Sequence, residues 1–68
     1  MEYYKFWLDG RLKYLVILGH HNFHIYNEDM ELEKKYEFAT YFREKFLEKA
    51  TLVTDENELA KLMLVCHT

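Results

Sequence analysis

The side chains best equipped for chemistry are His20, His21 and His24 in "LGHHNFHIYN", with Cys66 and His67 near the other end of the chain. Imidazole and thiolate are the usual ligands of zinc, so a metal site is the first chemistry to weigh. His20 and His24 would share a face if they stood one helical turn apart. Gly19 and Asn22 disfavour a helix at that point. In extended chain the two histidines lie about 13 Å apart, whereas one ion holds its ligands at about 2 Å. A site would need a turn at Gly19 and further ligands from Cys66 or His67, which are neighbours and point different ways in regular structure. The histidines are therefore expected to be those of a loop running into a strand, with no metal and no cofactor.

Machinery for catalysis is thin. The chain contains no serine, which excludes a serine triad, and its two glycines are too far apart to cradle a phosphate. Cys66 falls on an apolar stripe, where an inert thiol is the expected state. The carboxylates crowd one solvated stretch, and no pair is spaced as acid and base. A domain this small has little room for a substrate pocket beside its core. A non-enzymatic protein is expected.

Surfaces are the remaining source of function. Tyr3, Lys5, Trp7 and Lys13 interleave aromatic and basic groups, a pattern on which single-stranded bases can stack. Three cations in that region are few. The net charge is −3, with residues 1–27 at +1 and residues 28–68 at −4. Nucleic-acid backbones demand clustered positive charge, so this binding is disfavoured. The same face serves better as cover for a helix or another subunit.

These side chains must be positioned by elements that the pattern suggests. "EYYKFWLDGRLKYLVIL" reads as a hairpin about Asp9-Gly10. A two-residue loop would set Phe6 opposite Lys13 and mix charge into both faces. A three-residue loop instead gathers Tyr4, Phe6, Leu12, Tyr14, Val16 and Leu18 on one apolar face, as a half-buried sheet requires. The other face then carries Tyr3, Lys5, Trp7, Lys13 and Leu15. "NFHIY" alternates as a short third strand, with Phe23 and Ile25 on one side and His24 and Tyr26 on the other. Asn27 reads as an N-cap, and Glu28, Asp29 and Glu31 suit the positive end of a helix dipole.

A long helix over roughly residues 28–49 follows. Leu32, Tyr36, Ala39, Phe42, Phe46, Leu47 and Ala50 form its apolar stripe. Arg43 lies within that stripe and must snorkel or find a partner. Phe38 sits on its edge and Tyr41 points away. "TLVT" is a short strand or a connector. Thr54 or Asp55 can cap a second helix, Glu58 making a capping-box-like pair with Asp55. Its face is Leu59, Leu62, Met63 and Cys66, although "LMLVC" also fits a strand.

The expectation is α+β: one domain, residues 1–68, in which an N-terminal hairpin and a short third strand form an antiparallel sheet. The long helix and the short C-terminal helix pack on one face of it. A helix of about 33 Å overhangs strands of about 23 Å. Its edge at Phe38 and Tyr41, and the hairpin's second face, are left as apolar surface. Such patches mark interfaces, and two-fold dimers are the commonest closed solution.

The functional expectation is a small protein-interaction module, bound to a partner protein or to itself as a homodimer, through Tyr3, Lys5, Trp7, Lys13, Phe38 and Tyr41. A compact, proline-free chain of this kind fits an accessory regulator or inhibitor of the viral or phage type. The alternatives are a nucleic-acid binder using the hairpin face and a His/Cys metal protein. A single cysteine fits a reducing compartment, and the longest apolar run, "YLVIL", is too short for a signal or a span, which suggests a cytoplasmic protein.

Overall fold

The computed structural model describes residues 1–66. The chain is α+β, with a five-stranded antiparallel sheet and two helices. The strands are β1 (Glu2–Leu8), β2 (Arg11–Ile17), β3 (Phe23–Asn27), β4 (Leu32–Tyr36) and β5 (Thr51–Leu52), in the spatial order β4-β3-β2-β1-β5. Helix α1 (Thr40–Glu48) precedes β5 and helix α2 (Glu56–Cys66) follows it. No helix among the described residues is long and apolar enough to cross a membrane.

The first hairpin uses the two-residue loop. Leu8 pairs with Arg11, Trp7 with Leu12 and Phe6 with Lys13. Asp9 and Gly10 have φ of 53° and 76°, the left-handed pair of a type I′ turn. That turn matches the right-handed twist of the flanking strands. The three-residue loop expected above would make one face wholly apolar, and the structure removes that need. The sheet is buried on both sides, not one.

Phe6, Leu15, Ile17, Phe23 and Ile25 form one core, against which Phe46 and Leu47 of α1 pack. Tyr3, Tyr14, Val16, Tyr26 and Val53 form the other, closed by Leu62 of α2. The consecutive burial of Tyr14, Leu15, Val16 and Ile17 is what a central strand between two covered faces produces. The charge that the two-residue register mixes into each face is neutralised there. Lys5 pairs with Glu58 at 3.1 Å on the α2 side, and Lys13 with Glu33 at 2.7 Å on the α1 side.

The long helix over 28–49 does not form. Asn27 ends β3 and braces a turn: its Oδ1 accepts the backbone N–H groups of Asp29 and Glu31 at 2.9 and 3.0 Å. Met30 takes a φ of 64° within that turn. The chain then returns as β4, paired to β3 across an irregularity between Ile25 and Tyr26. The spacing of Leu32, Tyr36 and Ala39 imitates a helix, but pairing an otherwise open β3 edge outweighs that weak local preference. Tyr36 stacks on Phe23 with centroids 4.5 Å apart, whereas Leu32 stays 44% exposed.

Helix α1 begins only at Thr40, and Phe46 carries its packing, with ring centroids 5.3 Å from Phe6 and 5.7 Å from Phe23. "TLVT" supplies β5, which pairs with β1 at Tyr4 and Lys5. Asp55 is the residue that caps α2, its Oδ2 accepting the Glu58 N–H at 3.0 Å. "LMLVC" is helical, and Leu59, Leu62, Val65 and Cys66 face the core, while Met63 lies 45% exposed.

Candidate interaction surface

The hairpin residues singled out from the sequence do not make one surface. Tyr3 is in the core beneath α2. Lys5 lies beside it and is held by Glu58. Trp7, on the same side, is 66% exposed near the hairpin tip. Lys13 stands opposite Phe6, so it projects from the other face, contrary to the expected grouping, and its ammonium is held by Glu33. The aromatic-basic alternation of Tyr3, Lys5 and Trp7 thus leaves Trp7 as its exposed aromatic member.

Glu58 joins α2 to the sheet by accepting hydrogen bonds from Tyr14 Oη at 2.5 Å and Lys5 Nζ at 3.1 Å. The Tyr14 bond, and then the Lys5 bond, hold the Glu58 carboxyl below its ordinary value of 4.5. Burial, and then the hydrogen bond to Glu58, push the Tyr14 phenol up to about 12. A depressed carboxyl stabilises the fold above its unfolded value, and that contribution is lost as pH falls through the folded value. A raised phenol contributes below pH 10, and its contribution drains away as pH rises toward 12. In thermal melts across pH, Glu58→Gln should flatten the acid limb, and Tyr14→Phe should shrink the alkaline one. Limbs unchanged by both substitutions would show that this cluster does not couple α2 to the sheet.

The histidines occupy two places. His20 and His21 are exposed in the β2–β3 loop, and His24 is half-buried in β3. Burial, and then the nearby Lys35 charge, lower the His24 pKa. Among the described residues no three His, Cys, Asp or Glu side chains are grouped as a metal set. Cys66 Sγ donates to the Tyr26 hydroxyl at 3.6 Å. His67 lies outside the described residues.

His21 has a structural task that the sequence did not signal. Its carbonyl accepts the Ala39 N–H at 3.0 Å, and its Nδ1 lies 2.6 Å from Thr40 Oγ1. Its ring stacks on Phe38, with centroids 6.3 Å apart at 28°. These contacts clamp the start of α1, which has no side-chain cap of its own.

The clamp displays Phe38. This residue is 87% exposed, the most exposed of the large apolar side chains, and its φ is 54°. A left-handed backbone at a bulky residue costs roughly 1–2 kcal/mol. The strain is not offset by burial of the ring. Three and four residues further along, Tyr41 and Phe42 meet edge to face at 5.6 Å and are 66% and 52% exposed. Lys45 Nζ lies 5.5 Å from the centre of the Tyr41 ring.

Three rings of this size, exposed within five consecutive residues, present on the order of 400 Å² of largely apolar surface, which is much for so small a protein. Phe38 and Tyr41, expected on an interaction surface, are both exposed, Phe38 in the loop before α1 and Tyr41 in its first turn, in place of one long helix. Phe42 was expected in the core stripe. It leans on Tyr36 at 5.9 Å and leaves half of its surface to solvent. No protein-family model matches the chain, and neither a curated protein nor a solved structure matches it.

Proposed function

We propose that this chain is a small, non-enzymatic protein-interaction module, and that it binds through the surface formed by Phe38, Tyr41 and Phe42. The observation that carries the reading is Phe38. An aromatic ring is held almost fully in water on a strained backbone, braced by His21, where glycine or asparagine would relieve both costs. Strain kept at an exposed aromatic group is explained when the group gains its contacts on binding. The partner is another protein or a second copy of the chain. In either case an accessory regulator or inhibitor that acts by covering its target fits the size and the absence of a triad or phosphate loop. The lone cysteine suits action in a reducing cytoplasm.

Quantitative capture from the cell of origin tests the reading, with light scattering of the purified chain to detect self-association. Wild type should retain a partner, or form dimers at micromolar concentration. Phe38→Ser and Tyr41→Ser should each weaken that association by tenfold or more, as expected for aromatic residues at the centre of an interface. Trp7→Ser should not. Association indifferent to both substitutions in the patch would overturn the proposal.

A further inference from the structure

We infer that Arg43 anchors an acidic side chain, Asp or Glu, of the protein partner that the Phe38 surface binds; this rests on the reading of that surface as a protein-binding one. Arg43 occupies the sheet-facing stripe of α1, between the apolar positions Ala39, Phe46 and Leu47. It lines a groove of about 220 Å³ with Met1, Glu2, Ile17, Leu18 and His20. Its Nε is sealed from solvent and has no hydrogen-bond partner among the described residues.

The cations Lys5, Arg11 and Lys13 each pair with a carboxylate, whereas no ion pair holds Arg43 among the described residues. Glu2 lies in the same groove, yet its Oε1 accepts from the Tyr4 hydroxyl at 2.7 Å. A buried guanidinium Nε without an acceptor is an unmet hydrogen-bonding demand. Its planar fork matches a carboxylate bidentately, and a small rotation of the side chain would turn the Nε edge toward an incoming one.

The groove lies one ring away from the stack of His21 on Phe38. Its His20 lies 6.3 Å from His21, ring to ring, and His21 stacks on Phe38. Met1 and Leu18, at 59% and 36% exposure, give the groove an apolar rim. One cation among apolar walls, with Glu2 close by, is unsuited to a polyanion, which needs clustered positive charge. It suits a single carboxylate flanked by apolar residues.

The test selects a displayed library of random twelve-residue peptides on the immobilised wild-type chain and on Arg43→Gln. Peptides held by the wild type should share an Asp or Glu beside aromatic or aliphatic residues, and that position should lose its enrichment on Arg43→Gln. A synthetic peptide carrying the selected sequence should bind the unaltered chain at least about tenfold less tightly when its acid is replaced by the amide, a change that leaves the fold untouched. Peptides without an acidic position, or an acid-to-amide change without effect, would overturn the role of Arg43 while leaving the patch in place. A selection that yields no peptides, or peptides whose binding ignores Phe38→Ser, would overturn the peptide-binding surface as well.

Discussion

Phe6→Ala should leave the chain largely unfolded at room temperature. The ring is 1% exposed and packs against Phe46, and the Lys49 ammonium lies 5.8 Å from its centre. Replacing a buried phenylalanine by alanine costs about 3–5 kcal/mol. A domain of this length has roughly 3–10 kcal/mol of stability in all. Urea unfolding followed by circular dichroism reads the effect directly. Trp7→Ala is the control one position along the same strand, since its side chain is 66% exposed and should change stability by less than about 1 kcal/mol. If Trp7→Ala were the more damaging of the two, the facing of β1 described above would be wrong.

Leu62→Ala should be nearly as damaging from the opposite side of the sheet. Leu62 is 0% exposed and is the one fully buried residue of α2 among those described. Removing it costs about 2–5 kcal/mol and loosens the cover over Tyr3, Tyr14, Val16 and Tyr26. Amide hydrogen exchange should then rise first along α2. A sheet covered on one face alone would tolerate this change, so a wild-type melting temperature for Leu62→Ala would contradict the two-sided core.

The two outcomes bear on what could be read from the residues. The hairpin about Asp9-Gly10, the alternation of "NFHIY", the Asp55 cap and the α+β class all follow from local chemistry, and the structure has them. The hairpin register does not follow from local pattern. Both faces of β1 and β2 carry apolar residues and one lysine, so the choice of loop depended on whether one face or two are covered, which is a tertiary fact. The stretch from Glu28 to Ala39 misled for a related reason. Leu32, Tyr36 and Ala39 have helical spacing, but the β3 edge recruits this segment as a strand through a turn built on Asn27. Phe38 and Tyr41 were legible as apolar residues outside the core stripe. What holds them, a stacking histidine some seventeen residues earlier in the chain, was not, because nothing local links His21 to Phe38.

The central claim, that the chain binds a partner protein or a second copy of itself through the end of the molecule at Phe38, is met most directly by a photo-crosslinking phenylalanine analogue placed at single positions in the cell of origin. Set at Phe38 or Tyr41, it should yield one discrete heavier species, and set at Trp7 it should yield none above background. A discrete adduct from position 7 with none from positions 38 and 41, or no adduct from any of the three, would contradict the account.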